Sequence, residues 1–252
     1  MKYTEADLEI TKRLTNLHNQ WKQTLYDNGL PDEYLDLYVT DGIFPFFTNQ
    51  KVKVLFIGKE ALEIGGYDYS ELLYQAYKKH RVGNKSLNSN KFHALMMYVT
   101  YGINHNHPRY IDLPCAETIA DSFGTKDGIS FSFMNISKFS NESGRWPADY
   151  DLINEFINKS KYKNENLFAK EISIINPDII IGMNLCDLFE NIGSFQNFKS
   201  YGTKDQVCLQ ELRTVYGVYP FIDSYHFSAP YKKWDEDYYS PIIEAFKALK
   251  NN

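Results

Sequence analysis

Residues 176–182 read Asn176-Pro177-Asp178-Ile179-Ile180-Ile181-Gly182, and this stretch decides the fold class. Pro177 cannot continue the helical pattern before it, and the isoleucine run that follows, closed by glycine, is the clearest strand in the chain. Upstream, Val52-Lys53-Val54-Leu55-Phe56-Ile57 stops at Gly58 and has the length and β-branched content of a buried strand. Ser130-Phe131-Ser132-Phe133-Met134-Asn135-Ile136 is a second such run. Downstream, Tyr219-Pro220-Phe221-Ile222-Asp223 leads into Ser224-Tyr225-His226-Phe227-Ser228.

Helical periodicity fills the intervals. Ile10, Leu14, Leu17, Trp21 and Leu25 form one apolar stripe, opened by a Thr4/Asp7 capping box and ended by Gly29 and Pro31. Ser70 is placed to cap a helix reaching about His80, and the polar stretch Arg81 to Asn90 reads as a loop. Phe92, Leu95, Met96 and Val99 restart the helical spacing. A further helical region runs from Tyr150 to Ile175, broken near 161–164, and a last helix covers Tyr238 to Leu249. Strands separated by helices predict a three-layer α/β/α fold around a central, mainly parallel, four-stranded sheet. No repeat or linker divides the chain. The expectation is one domain over residues 1–252, with the helical segment 1–50 packed on it.

Composition narrows the function classes. With 43% hydrophobic residues, 17 Phe and 20 Tyr, the chain has the apolar content of a folded domain. The amino terminus MKYTEADLEITKRL lacks a signal peptide's apolar core, and no apolar run approaches the ~18 residues of a membrane span. Cys115, Cys186 and Cys208 are odd in number and lack metal-ligand spacing, which points to a reduced, cytoplasmic setting. A net charge of −5 argues against nucleic-acid binding by bulk charge but leaves room for a local basic cleft.

In an open parallel sheet, ligands bind beyond the carboxyl ends of the strands. Gly58-Lys59-Glu60, Asn135 to Lys138, Gly182-Met183-Asn184 and His226-Phe227-Ser228 should all lie there. A carboxylate, an amide, an imidazole and a hydroxyl would then share one crevice. Gly58 is followed by Gly65 and Gly66, which does not make a dinucleotide fingerprint. Gly58-Lys59-Glu60 lacks the Ser or Thr of a P-loop, and no Gly-x-Ser-x-Gly elbow is present. His105 and His107 form a short pair of the sort that usually lies in a loop, and no metal site is expected there.

In their order, these segments resemble the uracil-DNA glycosylase superfamily. VLFIGKEA matches its first strand and loop. FMNISKFSNESGRWP resembles the Asn, two apolar residues, Lys and Gly-x-Arg-x-Pro turn of its iron–sulfur branch. ISIINPDIIIGMN matches the helix, Pro, strand and Gly that follow, and SYHFSAPYKKW takes the place of His-Pro-Ser. Ala61 and Phe227 stand where the family carries proline. Three cysteines cannot supply the four thiolates of an iron–sulfur cluster, so no metal or organic cofactor is expected.

The resemblance implies removal of uracil or a related damaged base from single- or double-stranded DNA, by a protein acting as a monomer and away from membranes. Glu60 would stabilise the developing sugar cation and orient water, while His226 would stabilise the departing base. Asn135 would read the edge of the extruded base. Ser137, Lys138, Arg145 and Ser228 would hold phosphates. Phe92, Phe123 and Phe131 are equal candidates for stacking on the base. A nucleoside or nucleotide N-glycosidase, and a binding module that keeps the fold without the chemistry, are the competing readings.

Overall fold

The isoleucine run does form a strand, and every expected strand joins it in one sheet. The computed structural model describes residues 1–250 except Trp146, with Cys186 described by its backbone alone. In chain order the strands are β1 (Gly42–Ile43), β2 (Val54–Gly58), β3 (Ala61–Leu62), β4 (Arg81–Val82), β5 (Lys85–Ser86), β6 (Ser132–Asn135), β7 (Ser140–Asn141), β8 (Ile179–Met183), β9 (Ser194–Tyr201), β10 (Val207–Thr214) and β11 (Gly217–Ser224). The α-helices are α1 (Glu5–Asp27), α2 (Tyr69–Lys78), α3 (Lys91–Asn104), α4 (Ala116–Ser122), α5 (Tyr150–Lys159), α6 (Leu167–Ile175) and α7 (Ser240–Leu249).

The main sheet has seven strands in the order β1-β6-β2-β8-β11-β10-β9, which corrects the expected four. The four expected strands stand together at its centre, β6-β2-β8-β11, and run parallel. The additions pair antiparallel: β1 on β6, β10 on β11 and β9 on β10. The sheet is therefore mixed. β9 and β10 escape a search for apolar runs because β9 is an edge strand with mostly exposed side chains, and β10 alternates buried with less buried positions. The hairpin between β10 and β11 is closed by Thr214, whose Oγ1 accepts from the backbone N–H of Tyr216 and Gly217.

Strand alternation sends side chains to two separate apolar clusters. Val54 and Phe56 of β2 meet α2, α3, α4 and α7, while Leu55 and Ile57 meet α1, α5 and α6. The sheet is thus covered by helices on both faces. α1 begins with the reciprocal Thr4/Asp7 capping box. α2 is capped by Asp68, whose carboxylate accepts from the Glu71 N–H, and not by Ser70, which lies buried within the helix. Residues 81–89 fold as the β4–β5 hairpin and a 3-10 turn, not as an open loop. Among the described residues no helix is long and apolar enough to cross a membrane.

Candidate active site at the carboxyl edge of the parallel strands

Because the central strands are parallel, Gly58, Asn135, Met183 and Ser224 all end at one edge of the sheet. From β2 the chain crosses to β6 on one side, whereas β8 is followed by strands on the other. The neighbours β2 and β8 therefore send their connections in opposite directions, which opens a crevice between them.

Gly58 and Asn135 are register partners. The pairing continues past both strands: Ile136 N–H donates to Gly58 O at 3.0 Å and Ser137 N–H to Lys59 O at 2.8 Å. β7 then pairs with β3. The Gly58 position has no room for a side chain. A Cβ there would lie 2.6 Å from Asn135 Oδ1 and 3.0 Å from Phe133 Cζ. The absent side chain thus lets the Asn135 amide lie against the β2 backbone.

Aromatic rings lead from this point to the histidine. Tyr69 stacks on Phe133 at 4.7 Å between ring centroids, and Phe92 meets Phe133 edge-on at 6.2 Å. Phe92 also stacks on the His226 ring at 5.3 Å and 27°. Phe227 is buried, edge-on to Phe56 and Phe92. Of the stacking candidates, Phe92 lies against His226. Phe123 and Phe131 are core residues packed on Phe44 and Tyr77.

The loop carrying His226 is held firmly. Its carbonyl accepts from Tyr238 Oη at 3.0 Å and from Ala229 N at 2.8 Å. Lys91 Nζ, at the start of α3, donates to the carbonyls of Ala229 and Lys232. Nδ1 of His226 lies 2.6 Å from Ser228 Oγ and accepts from Ser228 N–H at 3.3 Å. In the neutral ring an accepting Nδ1 places the proton on Nε2, as a donor. Burial, with Lys59 nearby, pushes the imidazole down to about 4, so it is neutral at pH 7.

Glu60 Oε1 accepts from Asp149 N–H at 2.8 Å and from Asn141 Nδ2 at 3.1 Å, while Oε2 is buried without a hydrogen-bond partner. Burial raises the carboxyl against the pull of those two donors. Glu60 is therefore anchored to β7 and to the start of α5, whereas Asn135 and His226 border the aromatic wall.

The expected phosphate contacts divide. Lys138 is a correction: it is core, not surface, with its side chain 0% exposed. Its Nζ donates to Asp41 Oδ1 at 2.8 Å and Oδ2 at 3.0 Å and to Glu171 Oε1 at 2.9 Å, and sits 5.4 Å from the Trp21 ring. Ser137 is likewise buried, its Oγ accepting from Phe139 N–H at 3.1 Å. Neither can reach a backbone phosphate. Arg145 is exposed, and Ser228 is engaged with His226.

Two acidic residues were not singled out in the sequence. Asp41 holds Lys138 and also accepts from Asn135 N–H at 2.7 Å. Asp223, at the end of β11, has a buried Oδ1 without a partner, and burial pushes its carboxyl up to about 7 against the N–H groups of Ser224 and Asn184. Its place just before His226 was the available signal.

His18, Asp41 and Glu171 bring three potential metal-ligand atoms within 4.8 Å of one another. The Lys138 ammonium already lies 2.8 Å from both carboxylates and supplies the cation there. Cavities of about 400 and 210 Å³ flank α1, and neither is lined by Glu60, Asn135 or His226. Comparison of the chain with protein-family models, with curated proteins and with solved structures returned no match.

Proposed function

We propose that the chain is a hydrolase of N-glycosidic bonds, removing uracil or a related base from DNA in the manner of the uracil-DNA glycosylases it resembles. The observation that carries this reading is the grouping at one sheet edge: the Asn135 amide against Gly58, a wall of Phe133 and Phe92, and the neutral His226 at the end of that wall. Asn135 and Phe133 are 2% and 1% exposed, so this edge must open before an extruded base can set its hydrogen-bonding edge on the amide and its flat face on the rings. In the reaction the C1′–N bond breaks and its electron pair leaves with the base. An Nε2–H donor on His226 stabilises the charge developing on a base oxygen without first losing a proton. Glu60, as the carboxylate, opposes the positive charge on the sugar and orients the water that adds to C1′.

One observation favours a smaller substrate. With Lys138 and Ser137 in the core, Arg145 and the Ser228 bonded to His226 remain of the four expected phosphate contacts. Fewer phosphate anchors suit a nucleoside better than a strand. Single-turnover base release from uracil-containing single- and double-stranded oligonucleotides, beside free deoxyuridine, tests both readings. Release from an oligonucleotide supports the first, and release from deoxyuridine alone the second. Release from neither, with binding retained, leaves a recognition module on the same fold.

A further inference from the structure

We infer that Asp41 and Lys138 are positioning residues, whose buried ion pair sets residues 135–141 as the rigid connector between Asn135 and the groups that hold Glu60. This rests on the function proposed above for Asn135 and Glu60. The connector is fastened along its length. At its start, Asn135 N–H donates to Asp41 Oδ2 at 2.7 Å. At its centre, Lys138 Nζ reaches Asp41 and Glu171, and Lys138 O accepts from Val39 N at 2.7 Å. Phe139 bridges to Tyr38. At its far end, Ser140 Oγ accepts from Ile64 N at 3.0 Å, β7 pairs with β3, and Asn141 Nδ2 donates to Glu60 Oε1 at 3.1 Å. Asp41 thus touches the base-reading residue directly and, through Lys138, the middle of the segment that supports the carboxylate.

The chemistry of the cluster favours geometry over stability. Asp41, Lys138 and Glu171 have side chains 1%, 0% and 0% exposed. Taking such ions from water costs about as much as their attraction returns, so apolar residues of similar volume would hold the fold equally well. Apolar contacts are not directional, however, whereas the two Asp41 oxygens fix one N–H and one ammonium at set angles. Two carboxyls face one ammonium, and burial pushes the Glu171 carboxyl up against the opposing pull of Lys138. Both Glu171 oxygens face the ammonium, Oε1 at 2.9 Å and Oε2 at 2.8 Å from Nζ. His18 completes the shell as a neutral ring, its Nε2 3.1 Å from Asp41 O and its Nδ1 2.8 Å from Tyr38 Oη.

The test is hydrogen exchange read by mass spectrometry on the full chain, with urea unfolding alongside. The paired replacement Asp41→Leu with Lys138→Met removes both charges together and leaves no unpaired ion. It should unfold at or above the wild-type urea midpoint, yet exchange residues 135–141 at least tenfold faster, with β8 still protected. Glu171→Gln should keep exchange at residues 135–141, read against β8, and base release within twofold of wild type. Base-release rate should fall at least tenfold in the paired variant while oligonucleotide affinity changes less than threefold. If the paired variant does not fold, Asp41→Ala is read in the same peptide against β8 at its own stability. Unchanged exchange at 135–141, or equal loosening of β8, overturns the inference. A wild type that releases no base overturns the proposed function instead, and the exchange comparison still decides this one.

Discussion

Gly58→Ala separates site geometry from fold stability more cleanly than any charge substitution. The added Cβ would lie 2.6 Å from Asn135 Oδ1 and 3.0 Å from Phe133 Cζ. Both are shorter than van der Waals contact by several tenths of an ångström. Phe133 is packed between Tyr69 and Phe92, so its ring has little freedom to retreat. Asn135 must yield, by rotating its amide off its present rotamer or by shifting the end of β6. The first costs about 0.5–1.5 kcal/mol and the second falls within the ~1–3 kcal/mol of ordinary overpacking. Urea unfolding should therefore show a loss of at most about 3 kcal/mol. The effect on chemistry should be larger, because misplacing a positioning group by about 1 Å can cost roughly a hundredfold in rate. Single-turnover base release at saturating substrate is the assay, with circular dichroism to verify the fold. A variant that loses stability as expected but releases base within threefold of wild type would show that the amide against Gly58 is not the reading group.

Three further outcomes follow from the same geometry. His226→Ala should lower base release by about two to three powers of ten with little change in oligonucleotide affinity, since the imidazole acts on charge present mainly in the transition state; equal losses in both would make it a binding residue. Burial raises the Glu171 carboxyl in the folded chain above the ~4.3 of an unfolded glutamate, so its contribution to stability is whole below that pH and fades as pH rises through the folded value. Glu171→Gln, which does not titrate, should gain on wild type in urea unfolding as pH rises above about 5, and parallel curves would refute the raised Glu171 carboxyl. His93 is pushed by burial down to about 3, so stability falls as acid protonates the unfolded chain below about 6.5. His93→Gln, with an amide beside Tyr77 Oη, should lose less stability than wild type from pH 7 to 5, by about 2 kcal/mol at most.

The parallel centre of the sheet was legible because each of its strands is an apolar run bounded by turn residues and followed by helical spacing. What lay outside that pattern was hidden for a physical reason. β9 is an edge strand, held by backbone bonds to one neighbour, and its exposed side chains carry no periodic signal. β1 is two residues long, too short for any period. The cap of α2 was misplaced by two residues because Asp68 and Ser70 are both capping types, and the sequence does not say which N–H is left unpaired.

The site was legible to the extent that strand ends predict it. Gly58, Asn135 and His226 reach one edge because parallel strands end together, and that needs no knowledge of side-chain direction. Lys138 shows where the inference stops. Three residues after Asn135, past the strand end, a lysine reads as solvated by default, since burying an ammonium is costly without a partner. The partners are Asp41, on the short stretch before β1, and Glu171, on α6, and neither sits near Lys138 in sequence. Glu171 occupies an apolar helix, among Phe168, Ile172 and Ile175, where a lone carboxylate would be destabilising. A glutamate on the buried face of α6 therefore called for a buried cation, and Lys138 supplies it. Reading that demand from the helix leads to the lysine, then to Asp41, and through the Asp41 carboxylate to the backbone of Asn135. The buried charge and the candidate site are one structure, reached from opposite ends of the sequence.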